Sequence, residues 1–430
     1  MLEGVAESAG RENRSGQPLA PHLLKTRDFG LLFSGQLISQ IGDSLNKVAL
    51  LWFVYELTGS ALKMTAIGLL QTVPPLVFGP LIGVYLDRLS KKRVMIWVDV
   101  ARTFLVLLIP FLYALDALTL EILYVLVFVI AVVSTVFGPA LASAVPLIVR
   151  PTQLTAANAL LQGTANIGMI VGPAVSGLGI VLAGAQNVLY LDAATFLISA
   201  LCLIPIRVGE SRAARTARTS GSLFQELTVG FRFVFVQHRT VFTLMLIATL
   251  YSLGTSAFVF LLPVFAKELL RFGPLELGLL WSALGGGMLA ASAWLAWARH
   301  SGLRERMRIV SRSMAVGGLA VCGLSVLETP LLATLLIMVI GGSTAMLIPV
   351  VWGVLQELTP NHLLGRVFTA FSTGGMSSAM AGMAGFGWAA DAIGPTASLL
   401  GISLILFGTA TVAAQLSRRS GPAPSPLASR

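Results

Sequence analysis

From Phe29 onward the chain repeats one pattern: a long apolar run, then a short polar connection. Each run is long enough to cross a bilayer, which takes about 20 apolar residues as a helix. Six spans are expected at 29–55, 62–86, 94–115, 122–149, 154–183 and 188–206. Six more are expected at 241–266, 275–298, 309–327, 331–356, 366–389 and 395–416. The fold class is therefore an all-α membrane protein with twelve transmembrane helices. Pro139 and Pro146 are expected to bend the fourth span, because proline removes a helix hydrogen bond and crowds the preceding turn.

The organisation follows. Residues 1–28 form a polar cytoplasmic tail, and 29–206 an N-terminal six-helix bundle. Residues 207–239 form a cytoplasmic linker, in which Arg212, Arg215 and Arg218 precede a moderately amphipathic stretch, Leu223–Val236. Residues 240–416 form a second six-helix bundle, and 417–430 a disordered cytoplasmic tail. The two bundles read as pseudo-repeats. Arg150-Pro151-Thr152 precedes the fifth span as Thr359-Pro360-Asn361 precedes the eleventh. Gly42-Asp43 corresponds to Gly254-Thr255. The first apolar run is too long for a signal-peptide core, so no cleaved leader is expected.

Composition supports the membrane reading. The chain has 430 residues, 56% hydrophobic and 11% charged; a soluble domain carries about 25% charged residues. The net charge of +10 invites a nucleic-acid reading. Its distribution argues against one. Lysine and arginine concentrate in the tails and in alternate connections; Lys47, Lys63, Arg102, Lys267 and Arg271 are the exceptions. That asymmetry is the positive-inside rule, and it places both termini in the cytoplasm. Cys202 and Cys322 sit in separate apolar runs and are expected to be packing residues.

Candidate chemistry is sparse. Gln36, Gln40, Asp43 and Lys47 share one face of the first span. A charge near mid-membrane is costly, so that face must look onto protein or water. One reading has it line a cavity in which Asp43 binds a proton or a cationic group. The other has Asp43 and Lys47 neutralise each other one turn apart. Asp99 and Arg102 in the third span are expected to pair locally and brace the cytoplasmic gate. Asp192 is expected near an interface, as a cap. Met376, Met380 and Met383 on the eleventh span are expected to pack in the core. The four histidines, His22, His238, His300 and His362, all fall in cytoplasmic segments. No intramembrane histidine is left for a metal or a Ser-His pair, and no P-loop or G-x-S-x-G occurs. No cofactor and no enzymatic activity are expected.

Two motifs carry a family resemblance. Gly83 to Arg93, GVYLDRLSKKR, lies between the second and third spans. It resembles the G-x-x-x-D-R-x-G-R-R loop of the major facilitator superfamily, with Ser90 in a glycine slot. The resemblance implies a cytoplasmic gate of Gly83, Asp87, Arg88, Lys91, Lys92 and Arg93, with Asp87 facing the start of the eleventh span near Gly365-Arg366. Gly168, Gly172, Pro173 and Gly177 in the fifth span resemble the glycine-proline signature of that superfamily's drug–proton antiporters, with Ser176 in a glycine slot. TGSA at 58–61, FGPLIGVYLDR at 78–88 and FGPALASAVP at 137–146 are similar to the macrolide-efflux and enterobactin-exporter branches.

The resemblance implies two six-helix bundles in the major facilitator fold. It implies a monomeric secondary exporter of an amphipathic small molecule, such as a drug, a macrolide-like compound or a siderophore. Its partners would be that molecule, a proton and the lipid bilayer of the inner membrane. An importer or lysolipid flippase on the same fold is the alternative. Many drug antiporters carry an arginine in the fourth span; here no charge appears from Tyr124 to Val149. Proton coupling then has to run through Asp43 with Lys47 or Arg102.

Overall fold

The computed structural model describes residues 23–86, 89–150, 153–207, 239–297, 302–326, 329–359 and 364–419. Among these, nearly every residue is helical and none is in a strand. The helices are α1 (Arg27–Thr58), α2 (Ala61–Leu86), α3 (Lys91–Ala114), α4 (Leu120–Ser134), α5 (Phe137–Ile148), α6 (Leu154–Ala183) and α7 (Ala185–Leu203). They continue with α8 (Arg239–Val264), α9 (Pro274–Trp297), α10 (Gly302–Leu324), α11 (Pro330–Ala345), α12 (Leu347–Leu358), α13 (Leu364–Ile393) and α14 (Pro395–Arg419). A π-helical turn, Phe265–Leu269, prolongs α8.

Among the described residues, ten stretches are long and apolar enough to cross a membrane, counting α4 with α5 and α11 with α12. The helices α1 and α13, of 32 and 30 residues, are long enough but less apolar. The first carries Gln36, Gln40, Asp43, Asn46 and Lys47; the second is rich in Gly, Ser and Thr. The described helices are consistent with twelve crossings.

Both broken spans have the same cause. The fourth span divides at Thr135-Val136, four residues before and just ahead of Pro139, whose ring opposes the Thr135 carbonyl. The tenth divides at Met346, ahead of Pro349, whose ring opposes Ala345. The two prolines stand in corresponding positions of the internal repeat. Pro146 and Pro173 stay inside continuous helices.

Small residues set the helix spacing. A Cβ on Gly168 would lie 2.5 Å from the Gln40 carbonyl oxygen, and one on Gly172 would lie 2.6 Å from that of Ile41. These contacts bring α6 backbone to backbone with α1, the use such spacing has where lipid supplies no hydrophobic drive between helices. On the outer faces, Trp97, Phe104, Val125, Leu331 and Leu404 stand exposed, as lipid-facing side chains do. Cys202 and Cys322 are free thiols, half-buried.

Several expectations concern residues outside those described: the pair Asp87-Arg88, the linker at 208–238, the four histidines, and residues 1–22 and 420–430 of the tails; residues 417–419, expected in a disordered tail, instead complete α14. The side chain of Arg366 also lies outside.

Candidate functional site

A cavity of about 340 Å³ opens among α1, α2, α3, α4 and α7. Its charged and amide lining comes from Asp43, Asn46, Lys47, Gln71, Arg102 and Asp192, with the hydroxyls of Ser134 and Thr135 beside them. Asp43 and Lys47 point into it because they lie one turn apart on the same face of α1. Gln36 and Gln40, on the same face, do not line it. Gln36 is buried with its amide nitrogen unpartnered, and the Gln40 backbone meets Gly168.

The charges pair differently from either expectation. Arg102 forms an ion pair with Asp43, across from α3 to α1. The Asp43 side chain is 37% exposed and that of Arg102 is 9% exposed. The guanidinium also lies 3.7 Å from the centroid of the Phe196 ring on α7. Arg102 is therefore held by a charge and a π face, which suits its planar cation. The expected local pair of Asp99 with Arg102 is not formed. Asp99 is fully buried and neither carboxyl oxygen has a hydrogen-bond partner. Nor do Asp43 and Lys47 pair: the Lys47 ammonium lies 4.8 Å from the ring centroids of both Phe260 and Trp281.

Asp192 is not an interfacial cap. It is fully buried two turns into α7, and one oxygen accepts from the Asn46 amide while the other is unpartnered. The cavity is thus bordered by two carboxylates, Asp43 on the exposed side and Asp192 on the buried side, with one arginine.

A second cluster lies where α1 ends and α2 begins. Glycine 59 ends α1 in the left-handed conformation (φ 61°), its N–H bonded to the Tyr55 carbonyl, so α2 returns at once. The Asp391 carboxylate, in the last turn of α13, accepts from the Ala61 N–H at 2.7 Å, the Leu62 N–H at 3.1 Å and the Ser60 hydroxyl. Tyr55 donates to Glu268 at 3.1 Å. The Lys267 ammonium lies over the rings of Trp52 and Tyr55, at 5.7 and 5.3 Å. On the same face a Cβ on Gly278 of α9 would meet the Pro173 carbonyl oxygen of α6 at 2.4 Å, and one on Gly177 would meet that of Pro274 at 2.5 Å. The four motif residues Gly168, Gly172, Pro173 and Gly177 thus serve two contacts, α6 on α1 and α6 on α9.

At the opposite face, Lys91 donates to the Leu89 carbonyl at 3.1 Å. Lys92 donates to the Ile204 carbonyl at 2.6 Å, just past the end of α7, where a cation satisfies terminal carbonyls. Arg93 is exposed.

Sequence reasoning missed Asp391, Asn46, Phe196, Phe260 and Trp281. Only Asp391 left a signal: the TGSA stretch puts a serine at the start of α2, where helix N–H groups lack partners.

Comparison with known proteins gives a consistent picture. The family model described as Major Facilitator Superfamily matches residues 32–383. The "Multidrug efflux pump Tap" of Mycolicibacterium fortuitum is 27% identical over 405 residues, covering 90% of this chain and 95% of that protein. The "Macrolide efflux protein A" of Streptococcus pyogenes is 27% identical over 345 residues, covering 79% of this chain and 84% of that protein. Among solved structures, a bacterial homologue of the iron transporter ferroportin in an inward-facing state aligns with a TM-score of 0.70 at 16% identity, over 91% of this chain and 98% of that one. A bacterial homologue of the human lysosomal transporter Spinster, inward-facing and unoccupied, aligns at 0.67 with 10% identity, over 95% of this chain and 100% of that one.

Proposed function

This chain belongs to the Major Facilitator Superfamily, and on that premise we propose that it exports amphipathic small molecules by proton antiport, with Asp43 as the coupling group. The observation that carries the reading is the Asp43–Arg102 pair on the wall of the cavity. Asp43 is the more exposed partner, so water and protons reach it from the cavity. Protonating it releases Arg102, a nearly buried cation whose unpaired state is costly. A proton at Asp43 therefore changes the packing of α1 against α3 and α7. Loss of one ion pair is a large perturbation for two helices that enclose the cavity.

Efflux is the direction supported by relatives named as multidrug and macrolide efflux pumps, together with the glycine-proline motif of α6. Drug-like and macrolide-like amphipaths are the proposed substrates. The two bundles, 29–206 and 240–416, rock against each other, with the cavity inside the first of them. With the arginine-rich connections in the cytoplasm, the face bearing Asp391 and Gly59 is outer, and its contacts support an outward-closed state. Asp391 at the start of α2 would then have a counterpart at the inner face, the role that the family resemblance implies for Asp87. The two carboxylates would latch opposite faces in turn, each drawn to a helix N-terminus by the backbone dipole.

The test is susceptibility of a host expressing the chain to a broad compound panel that includes macrolides, with and without a protonophore. The expected result is reduced susceptibility to several amphipaths, lost when the protonophore collapses the gradient. Export that survives the protonophore would contradict proton antiport.

A further inference from the structure

Lys47 is a cation without a counter-ion. Among the described residues its ammonium makes no hydrogen bond and no ion pair. What it does have is two aromatic faces, Phe260 on α8 and Trp281 on α9, each centroid 4.8 Å away. Trp281 is 3% exposed and its indole N–H is unpartnered. Two faces converging on one point in a desolvated place is the arrangement that recognises organic cations. A primary ammonium is a poor occupant, because it keeps three N–H donors that want oxygen acceptors.

The surroundings fit a larger guest. Beyond Phe260 lies a second cavity of about 240 Å³, lined among others by Tyr251, Met169 and Met288. Lys47 lines this cavity and the 340 Å³ cavity as well. It stands between them. If it withdraws, the two become one space, in the range of roughly 300–1,000 Å³ usual for a small-molecule pocket. Lys47 also has somewhere to go. Asp43 is one turn away on the same face, a spacing at which lysine and carboxylate meet.

We propose that Phe260 and Trp281 form a seat for the charged head of a lipophilic organic cation, and that Lys47 occupies this seat as an internal stand-in. The inference rests on the export reading for the guest's role as substrate, but not for the seat itself. A guest cation takes the two ring faces and lays its apolar body along Met169 and Met288. Lys47 swings to Asp43. The charged and titratable groups around Asp43 are then Lys47 on its own helix, Arg102 and Asp99 from α3, and Asp192 from α7. Two cations at one carboxylate oppose its protonation, so entry of the guest and departure of the proton are linked.

The test is equilibrium binding of radiolabelled tetraphenylphosphonium to the purified full chain in nanodiscs, at fixed pH and with no gradient. Lys47→Met removes the internal competitor and should tighten binding about tenfold, the scale of a desolvated cation–π contact. Phe260→Leu and Trp281→Leu keep apolar bulk and remove a ring, and each should weaken binding about tenfold. Trp281→Phe restores a ring face and should recover most of the affinity; a purely structural role for Trp281 would not follow ring character. Lys47→Gln serves if Lys47→Met fails to give a monodisperse protein. Unchanged or weaker binding on removing the lysine, or full affinity without the rings, overturns the seat. Export of a compound by wild-type protein alongside either result leaves the export reading standing. The predicted ranking without any pH-driven export upholds the seat and removes the reading it was joined to.

Discussion

The carboxylate of Asp391 accepts the backbone N–H of Ala61 at 2.7 Å, which ties the end of α13 to the start of α2. The first N–H groups of a helix have no partner within it, and the helix dipole favours an anion there. Ser60 and Leu62 join the same carboxylate. One side chain thus caps a helix that is not its own and joins the two across the fold.

Replacing that cap has a measurable consequence. Asp391→Ala removes a helix cap worth about 1 kcal/mol, roughly a fivefold shift in population. Spin labels at Leu57 and Leu275, both exposed near this face, report the separation once Cys202 and Cys322 are replaced by serine. The distance distribution should gain a longer component in Asp391→Ala. An unchanged distribution would mean that the cap contributes nothing to closure.

The close approach of α6 and α9 gives a steric prediction. A side chain on Gly278 would strike the Pro173 carbonyl, which is backbone and cannot step aside. Gly278→Leu should hold the Asp391 face open. A cysteine at Ser134, which lines the main cavity, should then react with a membrane-impermeant maleimide added from outside. In the parent protein that cysteine should be protected. Equal reactivity in both would show that α6 and α9 do not seal this face.

The Asp43–Arg102 pair gives a stability prediction. Leaving one member of a buried pair alone costs about 3–5 kcal/mol. Asp43→Leu leaves Arg102, only 9% exposed, without its carboxylate, so it should lower the melting temperature in detergent clearly, and adding Arg102→Leu to it should recover much of the loss. Asp99→Leu removes a buried carboxyl group that has no hydrogen-bond partner, so it should leave the melting temperature unchanged or raise it. A fall with Asp99→Leu as large as that with Asp43→Leu would mean that Asp99 pairs with Arg102 after all.

These contrasts show what was legible in the sequence. Helix lengths follow from apolar run lengths, and the break ahead of Pro139 follows from proline's missing N–H. The packing of Gly168 and Gly172 against α1 follows from their four-residue spacing. Partners were not legible where packing chooses them. Asp99 is the carboxylate nearest Arg102 along the chain, three residues away, yet α3 turns Arg102 toward Asp43, 59 residues away. Lys47 had a carboxylate one turn off and took two rings more than 200 positions along the chain instead. The periodicity of one helix says which residues share a face; it does not say which other helix that face meets. The motif between the second and third spans offered a gate by resemblance, while the Asp391 cap had only a serine to mark it.

The central claim is that Asp43 carries the coupling proton, and one comparison bears on it most directly. Purified wild-type protein and Asp43→Asn are reconstituted in proteoliposomes loaded with a compound that the wild type exports. An imposed pH gradient drives efflux, and binding of the same compound is measured without a gradient. Asparagine keeps the size and a hydrogen-bonding oxygen for Arg102 but cannot titrate. The account predicts that Asp43→Asn binds the compound and that its pH-driven efflux falls to the rate of protein-free liposomes. Efflux by Asp43→Asn at the wild-type rate under the same gradient would contradict it.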